Sequence, residues 1–123
     1  RISERWFGFT PAERRIEKRR AQRLHKFGLT TEQYEDMLIA QGGVCAICKE
    51  AETHTYKGMI TELVVDHDRG CCSGKRSCGK CIRGLLCHNC NAGLGMFKDN
   101  LDAFIAAFMY LKAHAKKRSG ITE

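Results

Sequence analysis

Two pairs of cysteines constrain the fold of this chain more than any other feature of its sequence. Cys45 and Cys48 form one C-x2-C pair, and Cys87 and Cys90 form another. This spacing allows two thiolates from one tight turn to occupy neighbouring corners of a tetrahedron. Two pairs fill all four corners with soft sulfur ligands, which favours Zn²⁺ in a structural role and leaves no position for a substrate. We therefore predict one structural zinc site at these cysteines, with disulfides or unbound thiols as the alternatives.

Four further cysteines lie in the intervening loop, GCCSGKRSCGKC. Cys78 and Cys81 repeat the C-x2-C spacing, whereas Cys71 and Cys72 are adjacent in the chain. A vicinal pair rarely offers both sulfurs to one ion without strain, so the fourth ligand of a second zinc site would be Cys71 or Cys72. A second structural zinc and a reduced or disulfide-capable loop are both compatible with this sequence.

The size of the chain explains why such reinforcement is needed. Its 123 residues, 43% of them hydrophobic, suffice for one domain with a small core. The N-terminal residues show no apolar segment or cleavage site typical of a secretory signal, and no segment is long enough to span a bilayer. We therefore expect a reducing, cytoplasmic location without membrane contact, where paired cysteines bind metal.

Basic residues are concentrated in two places. Residues 1 to 28 hold nine Lys or Arg against three Asp or Glu, and so carry most of the net charge of +7. Such a concentration suits a polyanion because each phosphate contact releases condensed counterions. Five more cations in and around the cysteine loop are candidates for DNA contacts, with a solvated surface as the alternative. They are Arg69, Lys75, Arg76, Lys80 and Arg83.

Capping residues predict two helices in the first third of the chain. Thr10 followed by Pro11 is typical of an N-cap and first helical position, and the basic segment after it is predicted to be helical as far as Gly28. Residues 1 to 28 are thus interpreted as a basic N-terminal helical arm. A second helix should begin at Thr30 or Thr31 and end at the glycine pair 42 and 43.

Helical periodicity disappears after residue 44 and returns after Asn91. Residues 59 to 65 and 82 to 86 are predicted strands of a small zinc-pinned hairpin. A short helix to residue 97 and a longer one from residue 101 to about 115 should follow. We therefore expect an α+β fold, with a core at residues 29 to 100 between the basic arm and a C-terminal helix and tail at residues 101 to 123.

The last predicted helix is unusually apolar. Residues at i, i+3, i+4 and i+7 spacing form one face that is predicted to pack on the core. The opposite side is rich in alanine and includes Tyr110, which suggests a contact with a second copy of the chain. The predicted core face consists of Leu101, Phe104, Ile105, Phe108 and Leu111.

Three polar residues near the cysteine pairs have the composition of a site for phosphodiester hydrolysis. Asp66 and His67 end an apolar run, and Asn91 directly follows Cys90. The reaction needs an activated water and stabilised phosphoryl oxygens. A histidine can take the proton of the water, while a carboxylate and an amide oxygen can hold Mg²⁺ against the phosphate. Asp66 and His67 would point to opposite faces of an ideal strand, so the hairpin must end or bend there.

Three segments resemble the recombination endonuclease VII family, within the wider HNH or ββα-metal nucleases. They are QGGVCAIC, VVDHDRG and RGLLCHNCNAGLG, and the resemblance covers about residues 29 to 100. It implies a ββα-metal core in which His67 is the general base, Asp66 and Asn91 bind catalytic Mg²⁺ or Mn²⁺, and the two cysteine pairs bind zinc. It also implies a homodimer that cuts branched DNA such as four-way (Holliday) junctions, which fits a phage-infected bacterial cell.

The sequence departs from the simplest members of that family in two places. The cysteine-rich segment from Cys71 to Cys81 is an insertion, and the turn after Asn91 contains no carboxylate that would assist the metal. Two alternatives are a less structure-selective HNH nicking endonuclease in DNA packaging or defence, and a zinc-stabilised DNA-binding module without catalysis. The combination of Asp66, His67 and Asn91 favours an enzyme, because a binding module does not need it.

Overall fold

Helices flank a middle segment of short strands. The structure is a computed structural model that describes residues 8 to 119, with side-chain environments up to residue 115. Residues 1 to 7 of the predicted arm and 120 to 123 of the predicted tail lie outside the described part. The described elements confirm the predicted α+β class. In chain order they are α1 (Pro11–His25), α2 (Thr31–Ala40), β1 (Thr55–Tyr56), β2 (Met59–Ile60), β3 (Val64–His67), β4 (Ile82–Leu86), α3 (His88–Met96) and α4 (Leu101–Ser119).

The chain divides into two compact units, which we call the core unit, Arg1–His88, and the C-terminal unit, Asn89–Glu123. In the core unit, β1 pairs with β2 and β3 pairs with β4, both antiparallel, so that two separate two-stranded sheets form. Within residues 8 to 119, no helix combines the length and the apolar character needed to cross a lipid bilayer.

The two N-terminal helices begin where their capping residues predict. The Thr10 hydroxyl accepts a hydrogen bond from the Glu13 backbone N–H at 3.1 Å, and the Glu13 carboxylate accepts one from the Thr10 N–H at 2.8 Å. Thr30 and Gln33 form the same reciprocal capping box at the start of α2. These bonds satisfy backbone donors that the first helical turn leaves without partners.

Helix α1 packs against α2 and uses part of its positive charge within the fold. Leu24 and Tyr34 are buried, and the Arg20 guanidinium lies 4.7 Å from the centre of the Tyr34 ring. Arg20 also forms ion pairs with Glu35 and Glu62. Part of the basic charge predicted for the arm is therefore neutralised by carboxylates of the core unit.

The single strand predicted at residues 59 to 65 is wrong, because the structure divides it between two sheets. Residues 59 and 60 pair with β1, and residues 64 and 65 pair with β4. Between them, the Thr61 N–H donates to the His54 carbonyl at 2.9 Å, and the Leu63 carbonyl accepts the Tyr34 hydroxyl at 2.7 Å. These tertiary partners replace a strand ladder. The strand predicted at residues 82 to 86 is confirmed.

The C-terminal unit is less well packed than its sequence pattern predicts. Helix α3 begins at His88, before the predicted start after Asn91. The predicted core face of α4 is wrong for this chain: Phe104 is half-buried against Phe97, whereas the other four residues are 61% to 76% exposed. Within this unit α3 is short and contains Gly93 and Gly95, so it offers little apolar surface to cover α4.

Candidate functional site

A β-bulge places Asp66 and His67 in the interior of the core unit. Asp66 lies opposite Gly84 and His67 opposite Ile82, so the register shifts between them and Arg83 is the additional residue on β4. Such a bulge bends a strand and turns its side chains. Both side chains are accordingly buried, at 4% and 5% exposure, which an unbent strand with one solvent face would not allow. The predicted bend at this dipeptide is confirmed.

Two backbone carbonyls hold the His67 ring in one orientation. The Nε2 atom lies 2.9 Å from the Cys72 oxygen and 3.1 Å from the Gly74 oxygen. A carbonyl can only accept a hydrogen bond, so Nε2 must carry the proton. In the neutral ring the lone pair is then on Nδ1, which is the nitrogen able to accept a proton from water.

Asp66 is paired with Arg83 from the adjacent strand. The guanidinium approaches both carboxylate oxygens, with Nε 2.7 Å from Oδ2 and Nη2 3.1 Å from Oδ1. A buried carboxylate needs such compensation because its charge is removed from water. This position therefore favours a positive partner, a requirement that a divalent metal ion would also meet. Arg83, which was predicted to contact DNA, lies against the candidate metal ligand in this structure. Its contact with DNA stays a prediction.

Asn91 is the third residue of the predicted site. It lies in the first turn of α3, immediately after Cys90, and its side chain is half-buried. An amide oxygen on a helix that starts in the second cysteine pair has a defined position relative to that pair. Its cooperation with Asp66 in binding a metal stays a prediction.

The sulfur atoms of Cys45, Cys48, Cys87 and Cys90 all lie within 4.8 Å of one another, and those of Cys48 and Cys87 are 3.9 Å apart. A tetrahedral zinc with Zn–S bonds of about 2.3 Å requires sulfur separations of about 3.8 Å. Burial would raise the pKa of the Cys45 thiol, but hydrogen bonds from backbone N–H groups, that of Cys87 first, outweigh it and lower the pKa to about 6. The tetrad can hold zinc.

The cysteines of the loop form a second tetrad. The sulfurs of Cys71, Cys72, Cys78 and Cys81 also lie within 4.8 Å of one another, with 3.8 Å between Cys71 and Cys78. Both members of the vicinal pair face the cluster, so the expectation that only one of them would do so is wrong. Four of the residues between Cys72 and Cys81 are glycine or serine, so the loop can bend tightly enough to bring all four sulfurs together. None of the eight cysteines, all of which are described, forms a disulfide bond.

Hydrogen bonds within the second tetrad change the pKa values of its thiols. Hydrogen bonds with Cys78, Cys81 and Cys72 raise the pKa of Cys71 to about 12. The backbone N–H of Lys80 and the Cys72 side chain lower the pKa of Cys78 to about 7. Cys71 thus keeps its proton and donates it in a hydrogen bond that favours the Cys78 thiolate, and a soft metal ion could take the place of such shared protons.

A cleft of about 310 Å³ opens beside His67. Two of the five cations predicted to contact DNA, Arg69 and Lys75, line it together with Lys26 from the end of α1. Lys26 was predicted only as part of the basic arm, because its local sequence gives no signal for a place in the site. The full lining consists of Lys26, Phe27, Val65, His67, Arg69, Ser73, Gly74 and Lys75. Arg76 and Lys80 are outside it.

Glu52 is a structural residue that the sequence did not reveal. Its Oε2 atom accepts hydrogen bonds of 2.8 Å from both the backbone N–H and the ring Nδ1 of His88. The His88 ring in turn stacks on His54, with ring centres 3.8 Å apart. Burial would raise the pKa of Glu52, but the hydrogen bonds, that from the His88 ring first, lower it to about 2. Glu52 therefore holds the start of α3 between Cys87 and Cys90.

Comparison with known proteins places this chain in a family. Residues 18 to 113 match the family model described as recombination endonuclease VII. The Gene 59 protein of Mycobacterium phage L5 is 36% identical over 89 residues, which cover 72% of this chain and 46% of that protein. The Gene 59 protein of Mycobacterium phage D29 is 36% identical over 90 residues, which cover 72% of this chain and 47% of that protein.

The chain spans about half the length of these curated relatives. No solved structure matches it significantly. The family match alone extends over far more than half of the chain and includes both C-x2-C pairs, Asp66, His67 and Asn91. The chain belongs to the recombination endonuclease VII family.

Proposed function

We propose that this chain is a metal-dependent DNA endonuclease of the HNH type that hydrolyses phosphodiester bonds in branched or distorted DNA. One observation carries the proposal. His67 is buried beside a basic cleft, with Nε2 donating to two carbonyls, so that its Nδ1 is the nitrogen that can accept a proton. Membership of the recombination endonuclease VII family supports the same chemistry.

In the proposed site, Asp66 and Asn91 hold one Mg²⁺ or Mn²⁺ ion. When bound, the ion would stabilise charge on the phosphoryl and leaving oxygens. The order β3, β4, α3 along the chain is compatible with a ββα-metal core at residues 29 to 100. The residues before it would serve as a basic arm, and residues 101 to 123 as a C-terminal helix and tail.

His67 acts as the general base in this mechanism. Its Nδ1 takes a proton from the attacking water, and the resulting imidazolium keeps Nε2–H bonded to the Cys72 and Gly74 carbonyls. Because the ring does not need to rotate, proton transfer occurs without loss of these bonds. The cleft cations Lys26, Arg69 and Lys75 bind the DNA phosphates on either side of the scissile bond.

The Cys45, Cys48, Cys87 and Cys90 tetrad holds zinc in a structural role, since all four ligands come from the protein. The enzyme acts as a homodimer, which the exposed apolar residues of α4 support. The phage relatives support action inside a phage-infected bacterial cell.

The test is cleavage of a labelled four-way junction, a nicked duplex and a linear duplex, each with Mg²⁺ or with EDTA. We expect Mg²⁺-dependent cleavage of the junction and a loss of about 100-fold or more in His67→Ala, because general-base catalysis contributes about that much. His25→Ala is the matched control, since His25 is exposed on α1. A His67→Ala variant that cuts at the parental rate would exclude this mechanism. Equal cleavage of all three DNAs would instead indicate the less selective nicking enzyme.

A further inference from the structure

The loop that carries the second cysteine tetrad also supplies the hydrogen-bond acceptors of His67. Cys72 provides both a sulfur to the tetrad and a carbonyl oxygen at 2.9 Å from His67 Nε2. Gly74, two residues later, provides the other acceptor at 3.1 Å. The position of the ring therefore depends directly on the conformation of this loop.

We propose that Cys71, Cys72, Cys78 and Cys81 bind a second zinc ion, and that this ion fixes the loop whose carbonyls orient His67. Cys72 and Gly74 are then positioning residues that act through their backbone oxygens. The catalytic consequence rests on the proposed function, whereas the metal site and the orientation of the ring do not.

The sulfur geometry supports a metal ion. Four side chains from a twelve-residue loop converge on one point, and the separations of 3.8 Å between Cys71 and Cys78 and 4.0 Å between Cys71 and Cys72 match the edges of a zinc tetrathiolate, about 3.8 Å. Cys71 and Cys78 are exposed, so burial of apolar surface does not explain the convergence. No pair is joined as a disulfide.

The composition of the loop gives a second argument. Apart from cysteine, residues 70 to 81 consist only of Gly, Ser, Lys and Arg, and they form no helix or strand. Such a segment has no hydrophobic means of holding two carbonyl oxygens in place, and its glycines increase the entropy that ordering must overcome. Metal ligation supplies the missing free energy of ordering.

The surrounding charge also fits. Four thiolates around Zn²⁺ carry a formal charge of −2, and the loop provides cations on the same segment at Lys75, Arg76 and Lys80. Arg76 and Lys80 do not line the cleft beside His67. We therefore assign these two to the neutralisation of the metal site and not to DNA.

Backbone contacts already anchor both ends of the loop. The proposed zinc would therefore be needed to fix only the centre of the loop. The Asp68 N–H donates to the Cys81 carbonyl, and the Ser77 N–H donates to the Lys26 carbonyl, each at 2.9 Å. Gly79 packs so closely on Gly28 that a Cβ on Gly28 would lie 2.8 Å from the Gly79 Cα. The Cys71 and Cys72 N–H groups also donate to the Asp68 carbonyl, at 3.0 and 3.1 Å. Residues 73 to 75, which include the Gly74 acceptor, and the orientation of the Cys72 carbonyl therefore depend most on the tetrad.

The first experiment measures zinc in the purified chain. We expect two zinc ions per chain in the parent, and one in Cys71→Ser with the far-UV circular dichroism of the parent. Ser73→Ala is the matched control, because it changes the same loop without removing a ligand, and it should retain two. In a titration with Co²⁺, the absorption of tetrahedral cobalt–thiolate sites should stop rising at two equivalents of cobalt per chain in the parent. In Cys71→Ser it should stop rising at one equivalent. One zinc in the parent would overturn the second site.

The second experiment observes the His67 tautomer by ¹⁵N NMR of histidine-labelled protein without DNA. We expect a single Nε2–H form in the parent and a mixture of both tautomers in Cys71→Ser, where the acceptor carbonyls are no longer fixed. Junction cleavage by that variant should fall by about 10- to 100-fold through kcat with little change in KM, as for other residues that orient a ligand or base. Cys78→Ser should reproduce both effects.

The outcomes separate the inference from the proposed function. If the parent binds two zinc ions and Cys71→Ser leaves the His67 tautomer unchanged, the link between metal and histidine is wrong. If the tautomer responds as expected but the parent cleaves no DNA, the inference is supported and the endonuclease proposal is overturned.

Discussion

At the scale of single residues, Arg83 determines the electrostatic state of the site. Its guanidinium contacts both oxygens of Asp66, whose carboxylate is almost entirely buried. Removing one member of such a pair leaves a buried charge without compensation. The resulting loss of stability is larger than the net stabilisation that the intact pair provides. In the proposed mechanism a divalent metal approaches the same carboxylate, so the guanidinium and the metal must share it.

Arg83→Gln should therefore lower the stability of the metal-free protein and increase its response to Mg²⁺. Because Arg83 is 38% exposed, we expect a loss of about 1 to 3 kcal/mol, below the value for a fully buried pair. Mg²⁺ should then raise the Tm of the variant more than that of the parent, since ligand binding to the native state adds stability. Thermal unfolding with and without Mg²⁺ measures both effects.

Arg76→Gln, which removes an exposed cation outside the cleft, should show the parental response to Mg²⁺. Equal Mg²⁺-induced shifts in Arg83→Gln and the parent would contradict competition between the guanidinium and the metal at Asp66.

At the scale of elements, α2 fixes the start of β3 through one side chain. The Tyr34 hydroxyl donates to the Leu63 carbonyl at 2.7 Å, one residue before the strand that ends in Asp66 and His67. Burial first, and then the nearby Glu62 carboxylate, raise the pKa of Tyr34 to about 12. The hydrogen bond from Tyr34 satisfies the buried Leu63 carbonyl outside the strand ladder. It also connects α2 to the β3–β4 hairpin that carries Asp66 and His67.

Tyr34→Phe should destabilise the protein at neutral pH by about 1 to 2 kcal/mol, because the buried Leu63 carbonyl loses its donor. The pKa of Tyr34 is raised in the folded state, from 10.0 to about 12, so its contribution is complete below pH 10 and is lost as the pH rises towards 12. The stability difference between parent and variant should therefore narrow between pH 9 and pH 11. Urea unfolding at both pH values measures it.

Tyr56→Phe provides the control for this pH dependence, because Tyr56 is 65% exposed on β1. Its stability difference from the parent should be small at both pH values. If the stability difference between Tyr34→Phe and the parent stays constant up to pH 11, the Tyr34 hydroxyl has the same pKa in the folded and unfolded chain, which contradicts the prediction.

At the scale of the whole molecule, two cysteine clusters that could hold metal accompany a small apolar core. The buried apolar side chains of the described residues are few, and two of them are cysteines of the first tetrad. With so few buried apolar side chains, cross-links through metal would add support that this core does not supply. Helix α4, in contrast, exposes the apolar residues Leu101, Ile105, Phe108 and Leu111, and this is the surface that the proposed homodimer would bury.

Ile105→Glu should dissociate the proposed homodimer, because it places a charge in the middle of the exposed apolar face of α4. Light scattering after size exclusion should give twice the chain mass for the parent and the chain mass for the variant. Thr55→Glu, with the same added charge on exposed β1, should remain dimeric. A parent that is monomeric at micromolar concentration would exclude the dimer.

Local sequence determined the parts of this protein that depend on neighbouring residues. Thr10 and Thr30 specify the starts of α1 and α2 through capping boxes closed three residues later. The C-x2-C spacing specifies the paired thiolates, and the alternation of strand side chains requires the bend between Asp66 and His67.

Tertiary contacts decided the rest, because the partners are far apart in sequence. Arg83 is seventeen residues from Asp66, and no local pattern distinguishes it from a DNA-binding cation. Likewise, between the two strands formed from residues 59 to 65, the Leu63 carbonyl accepts from the hydroxyl of Tyr34 in α2, which is 29 residues away in sequence. Only the folded loop shows that the Cys72 backbone holds His67 while its sulfur joins the tetrad. The sequence predicted the candidate reactive groups, and the fold determined their charge partners and their orientation.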